Sequence, residues 1–505
     1  MSSTFFGLET ARRGMFTQQS ALTLTGHNIA NANTPGYSRQ RVNFSATSPF
    51  PSVGLNSPKI AGQLGTGVEA DSIQRYRDKF LDSQYRGESN KLGYWSARAI
   101  SLTDIEEVIN EPSDVGLAAT LNNFWSSIQD LTRVPEGQEE GGGIRGIVRE
   151  RGREVADTFR YLYTSLQANR NNVKEEINVT LTQVSSIAKQ IAEVNAQIKA
   201  VEPHGYLPND LYDRRDLLLD ELSELVTVKV TTSDSGGNDL EIAEGIYDID
   251  IMLGNGATVN LVTGDKYQKL EMGPNNSDGS ISSYKLTSQD GTSILLNTPF
   301  QSSGKLSGLT EVNNEEYKKL LDSLDRMAEK FVLEFNTVHS SGWTLGNQSL
   351  PSKTGVNFFT IINGPGSAAS IGLSSEIEQS VNNIAAASIQ NIAGNRENAQ
   401  LLANLFKSEF DFEGNGNKTT LLGFYSNKVG ELGVSSQSAQ RLTSNSQTLR
   451  DSVNQRKQSV SGVSLDEEMT NLVQFQHAYN ASARMITAVD EVLDKIINGM
   501  GHVGR

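Results

Sequence analysis

Apolar residues recur every seven positions near both ends of the chain. The N-terminal residues at this spacing are Leu8, Met15, Leu22 and Ile29, and the C-terminal ones are Leu465, Leu472, Tyr479, Ile486 and Leu493. Apolar residues at this spacing lie along one side of an α-helix and form a seam that packs against another helix. Two such seams at opposite ends of a 505-residue chain predict that the ends pair with each other or with further copies. This organisation is more typical of a building block than of an enzyme.

The first helix is expected to span residues 4–32. Thr34 precedes a proline, and a residue in that position is pushed out of the helical region. Pro35 and Gly36 favour a type II turn, because proline fixes φ and glycine supplies the positive φ that the turn requires. Tyr37 follows this turn directly.

Three asparagines, Asn28, Asn31 and Asn33, lie near the end of this helix. Two interpretations of them are open. In the first, their side-chain amides bind neighbouring subunits. In the second, they cap the helix and serve the turn that follows it. The sequence favours neither interpretation over the other.

Helical periodicity returns in several long segments between the two ends. Within residues 144–201, apolar residues fall seven apart at Ile177, Val184, Ile191 and Ile198. Further helices are predicted over residues 76–110, 209–226 and 315–339, and mostly helical character over 375–410 and 418–505. Together these segments predict a bundle of long helices.

Residues 228–309 change to alternating polar and apolar positions interrupted by turns that contain glycine. The runs Tyr247–Ile251 and Tyr284–Leu286 predict strands. Residues 38–72 contain two short extended pieces among prolines and glycines, and we interpret them as an ordered linker. The long middle segment is therefore a β-rich unit inserted between helices.

These patterns predict an α+β multidomain fold with a nested order. A terminal α-helical coiled-coil domain combines the two chain ends, and a helical-bundle middle domain encloses β-rich insertions. The predicted domains are residues 1–45 with 462–505 (terminal coiled coil), 46–227 with 310–341 and 392–461 (helical bundle), 228–309 (β-rich insertion) and 342–391 (small mixed insertion).

The charge balance narrows the classes of partner. Lys and Arg number 44 against 59 Asp and Glu, for a formal net charge of −15. This balance argues against a nucleic-acid interface, which needs a basic surface, and against binding to anionic lipid.

The absence of cysteine excludes disulfides and thiol nucleophiles. No apolar stretch is long enough to cross a bilayer and no cleaved secretory signal is visible, so we expect no membrane insertion.

The residues that carry catalysis in other proteins are not arranged here as known motifs require. The five histidines form no i, i+4 pair and no HExxH motif, so a histidine metal site is not predicted. Residues 411–417 resemble an oxygen-rich calcium loop loosely and are interpreted as a turn. Arg214, Arg215 and Asp216 are interpreted as exposed salt-bridging residues. We therefore predict no enzyme activity, no cofactor and no metal site.

Two blocks of sequence carry a family likeness. The first is Gly26–Gln40, with the sequence GHNIANANTPGYSRQ, and the second runs from Leu465 to Arg484. They resemble the N-terminal and C-terminal signatures of the bacterial flagellar rod, hook and hook-associated proteins, which are axial structural proteins. Pro208–Asp216 and Gly394–Ala399 are similar to the hook-associated protein 1 branch of that family.

The resemblance implies a structural role in motility at the junction between hook and filament. It also implies export through the flagellar type III channel without a cleaved signal peptide, and an extracellular location. The implied partners are other copies of the chain in a ring of about a dozen, the hook protein, the second junction protein (hook-associated protein 3) and an export chaperone on the C-terminal helix.

Two alternatives remain open at this stage. One is a hook or distal-rod subunit, which the long predicted helices disfavour. The other belongs to a different class and is a surface hydrolase or adhesin built on the β insertions. An enzyme would need convergent titratable groups in a concave site, and residues 228–310 offer no such pattern.

Packing of the terminal helices is the expected mechanism of assembly. Ordering the backbone costs about 1–2 kcal/mol per residue, whereas a fully buried Leu or Ile contributes about 1.5–3 kcal/mol. We therefore expect both terminal helices to be disordered or frayed in the free monomer and to order when neighbouring copies add contacts. Phe475 and Tyr479 either pack within the seam or form the surface that the chaperone binds.

Overall fold

The computed structural model describes residues 5–51, 57, 62–109, 116–133, 143–274, 276, 278–346, 351–390, 392 and 394–499. The α-helices are α1 (Phe6–Ala30), α2 (Lys79–Ile109), α3 (Leu117–Thr132), α4 (Gly143–Val201), α5 (Asn209–Leu225), α6 (Lys305–Glu311), α7 (Tyr317–Ser341), α8 (Ser367–Ser370), α9 (Ser375–Gln379), α10 (Glu397–Leu405), α11 (Leu421–Ser461) and α12 (Leu465–Asp494). The strands are β1 (Gln40–Ala46), β2 (Val68–Arg75), β3 (Val228–Ser233), β4 (Ile246–Met252), β5 (Thr258–Thr263), β6 (Lys266–Met272), β7 (Tyr284–Ser288), β8 (Ser293–Leu296), β9 (Phe359–Thr360), β10 (Gly372–Leu373), β11 (Phe410–Asp411) and β12 (Lys418–Thr419). The predicted α+β multidomain fold class is confirmed.

The two ends of the chain meet in the structure. α1 and α12 pack side by side and run antiparallel, with the start of α1 beside the end of α12. The β1–β2 hairpin covers a second side of α1, where the Thr17 hydroxyl donates to the backbone carbonyl of Val68 at 3.2 Å. The segment interpreted as a linker therefore contains a paired hairpin that packs on the first helix.

α4 is the central element of the helical part. It runs for 59 residues, which confirms the long helix predicted over 144–201. One stripe of its apolar side chains is buried along its whole length, namely Phe159, Leu166, Val173, Ile177, Val184, Ile191 and Ile198. No helix in the described ranges is both long and apolar enough to cross a membrane.

α2 and α11 form a second long pair beside this core. They run antiparallel, because Lys457 near the end of α11 pairs with Asp82 near the start of α2 at 3.2 Å. At the other end of the pair, the Ser436 hydroxyl donates to a Glu106 carboxylate oxygen at 2.9 Å. The two helices thus connect the helical core to the paired chain ends.

The β-rich insertion is an antiparallel sheet, and its strands follow the order β3-β4-β5-β6-β7-β8 in the described residues. Its apolar side chains Ile249, Ile251, Leu261, Leu270 and Leu286 are buried. α4 supports this sheet through polar contacts as well. The Asn195 amide of α4 donates to Tyr247 O at 2.8 Å, where the regular pairing of β4 with β5 ends.

Helical character over 375–410 was expected, and this expectation is wrong for most of the segment. Its described residues form the short helices α9 and α10 and one 3-10 turn at Val381–Asn383. The stretch around Ala385 and Ala387 is extended instead, because Trp343 N donates to Ala387 O at 2.7 Å and Ala385 N donates to His339 Nε2 at 2.9 Å. Tertiary contacts here outweigh the helical propensity of the sequence.

Candidate functional site

α1 lies close to α12 at two glycines, Gly7 and Gly14, each one residue before a predicted seam position. A Cβ added at Gly7 would lie 3.7 Å from Val489, and one added at Gly14 would lie 3.2 Å from Ser482. Leu8 and Met15, with Leu22 and Ile29, are half-buried. The buried residues of α1 are Thr17, Ala21, Thr25 and Asn28. Small residues therefore let the two backbones approach, and the apolar seam residues flank the contact.

On α12 the predicted seam lies on the side that faces α1. Leu472, Tyr479, Ile486 and Leu493 are half-buried, whereas Leu465 is 50% exposed. Phe475 is also half-buried, and its ring lies edge-on to that of Phe44 in β1, with 6.0 Å between centroids. The structure therefore brings the two seams together, with Leu465 at the margin of the contact.

A polar clasp of Asn28, Tyr37, Arg39 and Glu468 joins the two chain ends at the base of the helix pair. The Asn28 side-chain amide donates to Gln40 O at 2.9 Å and to Glu468 Oε2 at 3.1 Å. Its side-chain oxygen accepts from the Tyr37 hydroxyl at 2.8 Å and from Gln40 N at 3.1 Å. Asn28 is 2% exposed, so its full hydrogen-bonding capacity is used within one chain.

Arg39 completes the polar clasp from the hairpin side. Its Nε donates to Glu468 Oε1 at 2.8 Å, and its backbone N–H donates to Ser461 O at 2.8 Å. A buried carboxylate is stable only when it is paired and hydrogen-bonded, and Glu468 obtains both from the N-terminal block. The two blocks that carry the family resemblance therefore bind each other directly.

The turn after α1 has the predicted geometry. Gly36 has φ +80°, and Tyr37 N donates to Thr34 O at 3.2 Å, as a type II turn requires. An added Cβ at Gly36 would lie 3.2 Å from the side chain of Leu217, so Pro35 and Gly36 also place the turn against α5. This contact fixes the base of the helix pair on the helical core.

The three asparagines near the end of α1 have different surroundings. Asn28 belongs to the polar clasp. The Asn31 amide donates to His27 O at 3.0 Å, and its side-chain oxygen accepts from the Thr34 hydroxyl at 3.1 Å, which is a capping arrangement. Asn33 is exposed.

A buried charge cluster lies directly beneath the polar clasp. Arg75 at the end of β2 pairs with Asp213 at 2.7 Å and Asp216 at 3.0 Å, both on α5. Arg77 and Arg86 contact Asp216 at 3.0 and 3.2 Å. Ser38 N donates to the Asp213 carboxylate at 2.9 Å. These bonds tie the hairpin and the turn to α5.

The interpretation of Arg214–Asp216 as an exposed salt-bridging surface is wrong for two of its residues. Arg215 is fully buried and Asp216 is 3% exposed. The Arg215 guanidinium lies 3.4 Å from the ring centroid of Tyr247 and donates to Gly245 O at 2.6 Å. This arginine therefore fastens α5 to the β-rich insertion.

The surroundings of the two aspartates set their pKa values in opposite directions. Burial alone would raise the pKa of Asp216, but the charges of Arg77, Arg75 and Arg86 outweigh it and hold the pKa well below its usual range. Burial raises the pKa of Asp213, and the neighbouring Arg75 offsets only part of that effect. The charge cluster is therefore centred on an ionised Asp216.

The described residues contain no group of three or more His, Asp or Glu side chains placed to hold a metal ion. In the loop 411–417, the Asp411 carboxylate accepts hydrogen bonds from Gly414 N at 2.7 Å and Gly416 N at 2.8 Å. Those backbone donors, with Gly416 first, lower the pKa of Asp411. The carboxylate closes a turn, as the sequence indicated.

α12 exposes apolar side chains on both flanks of the stripe that faces α1. Near its start these are Leu465, Met469 and Val473, and near its end they are Met485 and Val492, followed by Ile496 just beyond the last residue of α12, with exposed fractions from 38% to 57%. At about 100° per residue, residues of the first set lie roughly 100–180° around the helix from those of the second. We call these sets the near flank and the far flank.

Families of known proteins match three parts of the chain. Residues 102–359 match the family described as Flagellar hook-associated protein FlgK helical domain. Residues 8–37 match Flagella basal body rod protein, and residues 454–499 match Flagellar basal body rod FlgEFG protein C-terminal. The two terminal matches cover α1 and α12, and the longer match covers the helical core with the β-rich insertion.

Individual relatives agree with these matches. The chain is 43% identical to flagellar hook-associated protein 1 of Bacillus subtilis, with 100% of both chains covered. It is 26% identical to flagellar hook-associated protein 1 of Salmonella typhimurium, over 70% of this chain and 58% of that relative. The structure of the flagellar hook junction protein FlgK from Burkholderia pseudomallei has a TM-score of 0.58 and 15% identity, and covers 75% of this chain and 100% of that one. This last likeness concerns the fold alone.

Proposed function

This chain belongs to the flagellar hook-associated protein 1 family, and from that premise we propose that neighbouring copies assemble through the near and far flanks of α12. The chain is a structural component of the flagellum at the junction of hook and filament, and not an enzyme. Family membership favours this role over a hook or rod subunit and over a surface hydrolase or adhesin.

The observation that carries the proposal is the position of the two flanks on α12. Exposed apolar side chains that form a patch mark a surface for a partner. Because the near and far flanks lie at different heights and on different sides of the helix, one flank of a copy can meet the other flank of the next copy. Contacts of this head-to-tail kind generate rings or helical stacks of identical subunits.

Few side chains between α1 and α12 are fully buried, which supports the proposal that these helices become fully ordered only when neighbouring copies bind. Of the described residues of α12, Glu468 alone is buried, and Ala21 is the buried apolar residue of α1. Full burial of a large apolar side chain contributes about 1.5–3 kcal/mol, and the half-buried seam residues obtain only part of it. We therefore propose that neighbours supply the missing burial and that the free monomer frays from the open end of the pair.

The remaining parts of the proposal follow from the family. The copies form a ring of about a dozen, bounded on one side by the hook protein and on the other by hook-associated protein 3. Before assembly, an export chaperone covers the C-terminal helix, and the chain leaves the cell through the flagellar type III channel without a cleaved signal peptide. The seam residues Phe475 and Tyr479 then serve first the chaperone and later the helix pair.

The test uses a strain that lacks the chain and is complemented with variants. Deletion is expected to leave hooks without filaments and to shed filament protein into the medium. Met485→Glu with Val492→Glu places two carboxylates in the far flank, where burial without partners is costly, and is expected to reproduce that phenotype. The matched control is Thr470→Glu with His477→Glu, two exposed polar positions of the same helix that lie between the two flanks on the side away from α1, and it is expected to restore swimming.

Export is measured in the same strains, so that a chaperone or secretion defect is separated from an assembly defect. The far-flank variant should appear in the medium at the level of the control. If the far-flank variant is exported and still attaches filaments normally, the flanks are not the assembly surface.

A further inference from the structure

One buried polar atom of the terminal helix pair has no hydrogen-bond partner. Among the described residues of α1 and α12, it is the side-chain oxygen Oε1 of Gln18. Other buried polar groups of α1 are paired. The Thr17 hydroxyl has two backbone carbonyl oxygens within 3.2 Å, and the Asn28 side chain forms four hydrogen bonds. Because the large majority of buried polar side-chain atoms are paired, the oxygen of Gln18 is unusual.

Gln18 lies on the side of α1 that faces α12. Gly14 is close to Ser482 of α12, and a helix residue four positions further on lies on the same face. Because the two helices run antiparallel, Gln18 lies opposite the turn of α12 that contains Ala478. Its side chain is half-buried as a whole, so the fully buried oxygen is the part that points into the helix contact. Gln18 thus lies between the polar clasp at the base and the open end of the pair.

An acceptor that is buried without a donor destabilises the state in which it is buried. Water bonds to Gln18 Oε1 when the two helices separate at this level, whereas no donor among the described residues reaches it when they are paired. The far flank lies on the open-end side of this level, and its Met485 and Val492 are 57% exposed. The far flank is a surface only while this part of α12 is helical, so each opening of the pair removes it.

We propose that Gln18 limits premature assembly of free copies, because its unpaired oxygen keeps the open end of the α1–α12 pair opening and closing. The far flank is then available for only part of the time in the free chain. This inference rests on the proposed assembly through the flanks of α12. Once copies are brought together, burial of the far flank by a neighbour outweighs the loss at Gln18. A single polar residue in an apolar seam has a comparable effect in coiled coils, where it improves specificity at a cost in stability.

Hydrogen exchange in the free full-length chain tests the effect of Gln18 on the pair. Gln18→Met removes the polar group, keeps a flexible side chain of similar length and changes helix propensity little. Exchange of the backbone amides between residue 18 and the open end, on both α1 and α12, is expected to slow about tenfold, while amides near the polar clasp keep their rates. Gln19→Met, at the exposed neighbouring position, is the matched control and should change exchange less than about twofold.

Sedimentation velocity on the same chains measures the consequence for assembly. Because only chains with a closed pair present the far flank, the apparent Kd for self-association falls as the fraction of such chains rises. Gln18→Met is expected to form oligomers at a concentration at least about tenfold below the one that the wild type or Gln19→Met requires. Adding Met485→Glu and Val492→Glu to Gln18→Met should abolish these oligomers and leave the slow exchange in place.

Gln18→Glu perturbs the pair in the opposite direction. An unpaired carboxylate is more costly to bury than an amide, so exchange between residue 18 and the open end should approach the rate of an unfolded chain. Self-association should then require a higher concentration than in the wild type. Gln19→Glu is its control and should behave like the wild type. Thermal unfolding of the core should stay unchanged in all of these variants, because the hydrophobic core contains neither glutamine.

The outcomes separate this inference from the proposed function. Unchanged exchange in Gln18→Met overturns the inference and leaves assembly through the flanks of α12 intact. Slower exchange without self-association at lower concentration also overturns it, because Gln18 would then not limit assembly. Oligomers of Gln18→Met that persist after the far-flank substitutions refute the role of the far flank, and leave the effect of Gln18 on the helix pair intact.

Discussion

Substitution of Asn28 separates the two interpretations of the asparagines near the end of α1. Asn28→Ala removes four hydrogen bonds and leaves Gln40 N, Gln40 O and one oxygen of Glu468 without their partner. Each buried polar group without a partner costs about 1–3 kcal/mol. Because these losses share one site and are not additive, we expect the polar clasp to lose about 3 kcal/mol.

Hydrogen exchange in the monomer measures this loss locally. A decrease of about 3 kcal/mol in the free energy of opening accelerates exchange about 150-fold. The acceleration should be confined to the end of α1, to β1 and to the first turns of α12, because the polar clasp joins these elements. Asn33→Ala is the matched control, since its side chain is exposed, and it should change exchange less than twofold.

A double-mutant cycle adds a test of the direct contact. Asn28→Ala with Glu468→Ala should show a coupling energy of about 1 kcal/mol or more, as expected for residues in contact. Asn33→Ala with Glu468→Ala should show none. The reasoning fails if Asn28→Ala leaves exchange in the monomer unchanged and impairs only assembly, because Asn28 would then serve neighbouring copies.

Substitutions at three further buried sites, Gly93, His339 and Arg215, test how the core is stabilised. Gly93→Ala in α2 places a Cβ 2.2 Å from a carbonyl oxygen of α5 and should lower the free energy of unfolding by about 1–3 kcal/mol. Gly87→Ala in the same helix meets nothing within 4 Å and should raise the free energy of unfolding by about 0.5–1 kcal/mol. Thermal unfolding distinguishes the two variants. Burial lowers the pKa of His339 from 6.5 to about 4, so the unfolded chain binds the proton more tightly than the folded chain does. The free energy of unfolding should therefore fall by up to about 3 kcal/mol as the pH falls from about 6.5 towards 4. His339→Gln should flatten this slope in urea unfolding measured across that pH range. Arg215→Met leaves the buried Gly245 O without its donor and removes the ion pair with Glu244 and the contact with the Tyr247 ring, so it should lower the free energy of unfolding by about 1–3 kcal/mol. Arg214→Met at the exposed neighbouring position should lower it by less than about 0.5 kcal/mol in the same measurement.

Periodicity predicted the helices of this chain well, for a physical reason. Apolar residues that repeat every three or four positions can be buried together only on a helix, and α1, α4 and α12 follow that pattern over several turns. The exact face of the contact was harder to predict. A search for apolar periodicity does not detect Gly7 and Gly14, because glycine has no side chain. The same lack of a side chain lets the two helices approach each other at these positions.

The charge cluster could not be predicted from local sequence, because its partners are far apart along the chain. Arg75 and Asp213 are separated by more than a hundred residues, and only the fold brings them to 2.7 Å. One signal was present. Asp213, Asp216 and Asp220 lie at i, i+3 and i+7 and therefore share one face of a helix, which indicates a common cationic partner.

In the segment 375–410, the sequence pattern predicted more helix than the structure contains. Its apolar and alanine-rich positions suit a helix, but Ala385 N donates to the His339 ring and Ala387 O accepts from Trp343 N instead. These partners lie far apart in the sequence and meet only in the folded chain, so local sequence does not reveal the bonds. Local propensity contributes less than 1 kcal/mol per residue, so a few long-range hydrogen bonds can reverse it.

The distribution of strong and weak contacts along the terminal helix pair has a direct consequence for assembly. The polar clasp and the charge cluster lie at the base of the pair, where they fix α1 and α12 on the helical core, and the hairpin covers one side of α1 as far as Thr10. Towards the open end, the contact consists of small residues such as Gly7 and half-buried apolar ones, and Met485 and Val492 remain 57% exposed. A fixed base sets the direction in which the pair projects, and an incompletely buried end leaves the apolar surface that another copy covers in the proposed assembly. If copies assemble as proposed, we expect this pair of helices to leave the chain monomeric at low concentration and to bind with a defined orientation once copies are brought together.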